Sequence, residues 1–209
     1  MTPTTFRPFP LRRTAALALV TVLASCGGFT AVSIGGTVTG LTGTGLVIAN
    51  GGKQLAIAPG ATSFTFPDQV DIRSTYQVTL VSPPLRQSCN IFNAAGTAGA
   101  APVTIINVAC SANVFPVGGT ITGLTGSGLR LNNGSDQLTV DAGATTFTMP
   151  SRVADGAVFG VTVLSQPTGQ VCTVAGGTGV LDSTATSGTG VLVNNAISSI
   201  KVTCQSAPN

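Results

Sequence analysis

The run Gly35-Gly36-Thr37-Val38-Thr39-Gly40-Leu41-Thr42-Gly43-Thr44-Gly45-Leu46 returns, with two conservative changes, as Gly118-Gly119-Thr120-Ile121-Thr122-Gly123-Leu124-Thr125-Gly126-Ser127-Gly128-Leu129. The offset of 83 residues holds without a gap as far as Cys89 and Cys172, and about half of the positions between those ends are identical. Among them are Gly60/Gly143, Phe64/Phe147, Pro67/Pro150, Val78/Val161 and Pro84/Pro167. A period of that length exceeds most solenoid units and matches a whole small domain, so the chain reads as one domain copied in tandem. The glycines do not announce a phosphate cradle. No helix signal follows them, and the amides would lack a helix dipole to aid them.

Working outward from that run, the first copy is all strand. Leu46-Val47-Ile48 and Gln54-Leu55-Ala56-Ile57 flank Asn50-Gly51-Gly52, and Asn-Gly between apolar runs signals a hairpin because both central turn residues need positive φ. Phe64-Thr65-Phe66 alternates, and Tyr76-Gln77-Val78-Thr79-Leu80 is the longest clean period-2 stretch before Pro83-Pro84 stops it. Cys89-Asn90-Ile91-Phe92 and Val103 to Val108 supply the last strands. Short strands punctuated by turns at this density predict an antiparallel sandwich, with no helix after the N-terminal segment. In the second copy Asn133-Gly134 and Phe159-Gly160-Val161-Thr162-Val163 take the corresponding places. The copies diverge after the shared Cys, where an insertion rich in Gly, Ser and Thr falls within residues 176–195 and is expected to form a surface loop.

Composition narrows the function classes. Charged residues make up 7% of the 209, against roughly 25% in ordinary soluble domains. His, Glu and Trp are absent, and Tyr76 is the one tyrosine. The positive net charge is carried by Arg7, Arg12 and Arg13. Beyond them Lys53, Arg73, Arg86, Arg130, Arg152 and Lys201 balance Asp68, Asp71, Asp136, Asp141, Asp155 and Asp182. No basic patch is left to attract nucleic acid, and a near-neutral surface favours self-association. Acid–base catalysis would lack its commonest base, and the serines have nothing to activate them. Asp136 and Asp141 could hold Ca²⁺, but two carboxylates are far from a coordination shell, so neither metal nor cofactor is expected. A glycan site would want exposed Trp or Tyr rings.

The N-terminal segment carries Arg12-Arg13, then the charge-free run from Thr14 to Val22, the length of a signal-peptide core and too short to span a bilayer. Leu23-Ala24-Ser25-Cys26-Gly27 follows and resembles the lipobox of bacterial lipoproteins. The resemblance implies cleavage before Cys26, a diacylglyceryl group on its thiol and, with Gly27 in place of an Asp retention signal, the outer membrane as destination. The expected division is residues 1–25 as signal peptide, 26–33 as lipidated tether, 34–112 as first repeat, 113–117 as linker and 118–205 as second repeat. Lipidation of Cys26 leaves four cysteines of the five. Of their three possible pairings, only Cys89–Cys110 with Cys172–Cys204 provides both copies with the same bridge. A cysteine metal site would lack close Cys-x-x-Cys spacing and His.

The opening run, Asn-Gly, Phe-Thr-Phe, Tyr-Gln-Val-Thr-Leu and Cys together resemble an uncharacterised repeat of proteobacterial envelope proteins. The second copy carries that repeat's Pro167-Thr168-Gly169-Gln170-Val171-Cys172 and Val202-Thr203-Cys204, whereas the first departs with Pro84-Leu85-Arg86-Gln87-Ser88-Cys89. More loosely, the strand pattern is similar to prealbumin-like and Ig-like sandwiches, including collagen-adhesin B-type repeats with a Lys–Asn crosslink. Here Lys53 becomes Asp136 in the second copy, so no crosslink is expected. The expectation is a non-catalytic, membrane-anchored structural or interaction module, with an envelope protein or a second copy as partner. A carbohydrate- or surface-ligand-binding, adhesin-like module is the alternative.

Overall fold

A computed structural model describes residues 30–185, 190, 192–193 and 196–208. The proposed signal peptide, Cys26 and the first half of the tether lie outside the described residues. Those described are all strand and turn, arranged as two β-sandwiches in tandem.

The first repeat contributes β1 (Ala31–Val32), β2 (Ile34–Thr39), β3 (Leu46–Asn50), β4 (Lys53–Ile57) and β5 (Ser63–Thr65). It continues with β6 (Val70–Asp71), β7 (Thr75–Ser82), β8 (Gln87–Phe92), β9 (Ala95–Thr97) and β10 (Val103–Ala112). One sheet has the order β5-β2-β10-β8 and the other β4-β3-β7-β9, while β1 pairs with β6 at one end. The second repeat copies this strand for strand. Its members are β11 (Val114–Phe115), β12 (Val117–Thr122), β13 (Leu129–Asn133), β14 (Asp136–Val140) and β15 (Thr146–Thr148). Then come β16 (Val153–Ala154), β17 (Val158–Ser165), β18 (Gln170–Ala175), β19 (Thr178–Val180) and β20 (Ile197–Ser206).

The alternation in the sequence becomes the core because successive side chains of a strand point to opposite faces. Ile34, Val38, Ile106 and Val108 from one sheet meet Leu46, Ile48, Tyr76 and Val78 from the other. In the second repeat Val117, Ile121, Ile200 and Val202 meet Leu129, Leu131, Phe159 and Val161. The two cores share no residue, so each repeat buries its own apolar face.

Three features differ from the expectation. The sandwiches are not antiparallel throughout: β2 runs parallel to β10, and β12 to β20. With β2 and β10 parallel, and β12 and β20 likewise, the chain comes in at one pole of a repeat and leaves at the other, which suits end-to-end stacking. Second, residues 113–117 do not form a linker. One residue, Asn113, separates β10 from β11, and β11 pairs with β16 as β1 pairs with β6. The repeat therefore begins at Thr30 and Asn113, whose carbonyls accept from Ile72 N and Asp155 N. Third, the register fixes where the insertion lies. Gly156 N donates to Leu181 as Arg73 N does to Ala98, and Ile197 aligns with Val117 as Val103 does with Ile34. The extra residues thus fall between Leu181 and Ile197.

The opening glycines are explained by crowding. A Cβ on Gly36 or Gly119 would strike the carbonyl oxygen of Ile106 or Ile200 across the parallel seam, where the backbones leave no room for a side chain.

Candidate functional site

The most elaborated polar cluster is the junction between the repeats, and it is assembled from the opening run outward. After β2 the loop through Thr42 and Gly43 folds over Gln87, the residue two before Cys89. Gln87 Oε1 accepts from Thr42 N at 2.8 Å and Gly43 N at 2.6 Å, and its Nε2 donates to Gly40 O at 2.7 Å. Gln170 repeats this with Thr125 N at 2.8 Å, Gly126 N at 2.7 Å and Gly123 O at 2.7 Å. One side chain satisfies three backbone groups that the turn would otherwise leave unpaired. The glycine run and the Gln-x-Cys motif are thus one structural unit.

Arg86 stands just before that glutamine, with φ of 62°, where the second repeat has Gly169 at 70°. Two other non-glycine residues with positive φ follow the same rule: Arg73 faces Gly156 across the duplication, and Asn93 faces Gly176. A left-handed Arg costs about 1–2 kcal/mol that glycine does not incur. At Arg86 the offsetting interaction is visible. Its Nη2 lies 3.1 Å from Asp182 Oδ2, and its Nε is 3.7 Å from Asp155 Oδ1. That Nε is buried without a hydrogen bond. Asp155, fully buried in its side chain, also accepts from Ser183 N at 3.1 Å and from the Ser183 hydroxyl. The backbone completes the joint: Asn113 N donates to Arg86 O at 3.0 Å, and Asp155 N donates to Asn113 O at 2.8 Å.

Plug and socket belong to different copies. The first repeat has Arg86, while Ile72 stands at the place of Asp155. The second has the carboxylates, one of them on the insertion, while Gly169 stands at the place of Arg86. Sequence reasoning noticed Arg86 only as part of a departure from the repeat pattern and counted Asp155 and Asp182 only in the charge balance. The signal that could have found them was this reciprocal asymmetry. The insertion, expected as a free surface loop, places its described first residues against the other repeat.

Arg86→Gly is expected to cost about 2 kcal/mol at the junction, because a buried carboxylate loses its counter-charge while the backbone is relieved. Arg86→Lys should not restore it, since one ammonium cannot span both carboxylates. Calorimetry should show one melting transition for the parent protein and two for Arg86→Gly. An unsplit, unshifted transition would rule the coupling out.

Asp182 is held below its ordinary value of 3.8, first by the Thr184 hydroxyl at 2.6 Å, then by the Thr184 amide at 2.9 Å; desolvation opposes them, and the Arg86 charge adds a lesser lowering. A lowered carboxyl stabilises the fold at all pH above the unfolded value, and that contribution vanishes as pH falls through the folded one. The Thr184 amide should therefore stay protected from hydrogen exchange through pH 5 and lose protection only in stronger acid. Loss of protection between pH 5 and 4 would contradict this.

The remaining candidates are more dispersed. Both disulfides form as the duplication implies: Cys89 is directly opposite Cys110 on β8 and β10, and Cys172 opposite Cys204 on β18 and β20. Asp136 Oδ2 accepts from Ser151 N at 2.8 Å, and no three potential metal ligands converge among the described residues. Lys53 is exposed and 3.7 Å from Asp68. A shallow depression of about 830 Å³ lies along β7 and β9, lined by Asn50, Tyr76, Gln77, Thr79 and Thr97, with Tyr76 itself buried. The sheet orders leave β4 and β14 as edge strands with unpaired backbone on one side.

No protein-family profile and no curated protein matches the sequence. Among solved structures, the major pilin protein of Streptococcus pyogenes aligns over 84% of this chain and 96% of its own, with 10% identity and a TM-score of 0.26. The fold assignment rests on the strand pairing and the two separate cores.

Proposed function

We propose that this chain is a non-catalytic lipoprotein of the bacterial outer membrane, in which Cys26 carries the lipid and two sandwiches form a braced module for contact with another envelope protein or with a second copy. The observation that carries the reading is the lipobox-like Leu23-Ala24-Ser25-Cys26, set directly after a signal core and four residues before the first repeat begins at Thr30. Two or three acyl chains at about 0.8 kcal/mol per buried methylene anchor a protein firmly without a membrane-spanning segment. The two disulfides suit an oxidising compartment. The free edges of β4 and β14 suit strand addition by a partner, and the neutral Thr- and Ser-rich surface offers little charge repulsion to it.

Intact mass of the full chain extracted from envelopes should show loss of residues 1–25 and an acylated Cys26. Cys26→Ser should abolish the lipid and release the protein into the soluble fraction. An unmodified cysteine at that position would refute the anchor. Pull-down with the soluble Cys26→Ser form should recover an envelope protein or a second copy; recovery of free monomer alone would refute the interaction role.

A further inference from the structure

The two repeats are built alike, so their equivalent poles can be compared residue by residue. The pole by which the chain comes into the second repeat, around Asp155, Gly156 and Asp182, is occupied by Arg86 and the top of the first repeat. Among the described residues, the matching pole of the first repeat has no such partner. Three substitutions mark it relative to its twin. Phe92, the last residue of β8, stands where β18 has Ala175. Ile105, in the irregular step near the start of β10, stands where β20 has Ser199. Arg73 stands where the second repeat has Gly156. In place of the insertion there is only the short run Gly99-Ala100-Ala101-Pro102, uncharged and exposed.

Phe92 is 56% and Ile105 64% exposed, and these are the largest apolar surfaces left open at this end. Residue pairing sets Asn107 opposite Phe92, so Ile105 is its diagonal neighbour, within reach of a common contact surface. Arg73 and Lys53 are the cations described at this pole and Asp71 and Asp68 accompany them, so its net charge is zero and apolar contact dominates there. The direction of the chain says what covers it. Thr30 lies at this pole, and Cys26 is four residues upstream, a span of at most roughly 14 Å when fully extended.

We propose that this pole of the first repeat is a membrane-docking surface, on which Phe92 and Ile105 insert at the headgroup–acyl boundary while Arg73 meets anionic headgroups. The inference rests on the lipid-anchor reading of Cys26. The lipid holds the chain at the bilayer, and the pole sets its orientation, as the Arg86 joint sets that of the second repeat on the first. The module then stands off the membrane along its stacking direction instead of swinging on its tether.

The absence of Trp makes the test clean. In the chain from Cys26 onward, which keeps both cores whole, Cys26 is the one thiol outside the disulfides and can be coupled through maleimide to a phospholipid. Single probes are placed as Phe92→Trp, Ile105→Trp and, at the twin position, Ala175→Trp. On vesicles of phosphatidylethanolamine and phosphatidylglycerol, the first two should emit at shorter wavelength than in the uncoupled protein. Acyl-brominated lipid should quench them several-fold more than Ala175→Trp. Emission unchanged by coupling, or quenching equal at all three positions, would overturn the proposal. So would a dimer of the uncoupled chain that Phe92→Ser with Ile105→Ser abolishes, because a second copy would then be the occupant. Chemical coupling makes the result independent of native acylation, so failure of the anchor reading, seen as an unmodified Cys26 in envelope extracts, is a separate outcome.

Discussion

Replacing Cys172 and Cys204 by serine is expected to lower the stability of the second repeat by about 4 kcal/mol, and replacing Cys89 and Cys110 that of the first by about 3 kcal/mol. The bridges close loops of 32 and 21 residues, and loop-closure entropy lost from the unfolded chain grows with the logarithm of that length. A domain of this size has about 5–10 kcal/mol in hand, so each bridge is a large share. Urea titration of the two double-serine variants should show both midpoints falling, the second repeat by slightly more. Midpoints that stay together with the parent would mean that the reduced chain is already constrained by other means. Both bridges tie the last strand, β10 or β20, to its antiparallel neighbour at the edge of the sheet, β8 or β18. Their loss should therefore loosen the parallel seam as well.

Gly119→Ala is expected to destabilise the second repeat by about 3 kcal/mol or more, and Gly36→Ala the first by a similar amount. The added methyl has to displace the backbone carbonyl of Ile200 or Ile106, not a flexible side chain, so the seam between β12 and β20 or between β2 and β10 must open. Gly160→Ala is the control. Its Cβ meets open space and its φ is not positive, so the change should stay within about 0.5 kcal/mol of the parent. Thermal melts of the three variants decide it. Equal behaviour of Gly119→Ala and Gly160→Ala would show that the seam yields more easily than its packing implies.

These two cases also show what could be read before the structure was known. The bridges were legible because duplication leaves one symmetric pairing. The crowding at Gly36 was not, because the strand that crowds it, β10, is some seventy residues away and nothing local marks it as a parallel neighbour. The same holds for Gln87 and Gln170. Each is separated by more than forty residues from the loop it fills. Arg86 was visible as an irregularity, yet its carboxylate partners lie in the other repeat and, for Asp182, on an insertion that looked independent of the fold. The expected linker failed for a related reason. Val114–Phe115 and Ala31–Val32 are too short to show periodicity, and only their partners Val153–Ala154 and Val70–Asp71 make them strands.

The amino-acid sequence by itself determined that this protein is a β-sandwich made twice, stapled once per copy. Strand alternation, turn chemistry and the 83-residue period are carried in the order of residues along the chain. The tertiary structure alone decided that β2 runs parallel to β10 and β12 to β20, and that the repeats abut without a linker. It also decided that a left-handed Arg86 joins them through two aspartates. The reason is physical: strand partners and buried charge pairs are chosen by what the whole chain brings within a few ångströms, and backbone strain is tolerated only where such a partner compensates for it.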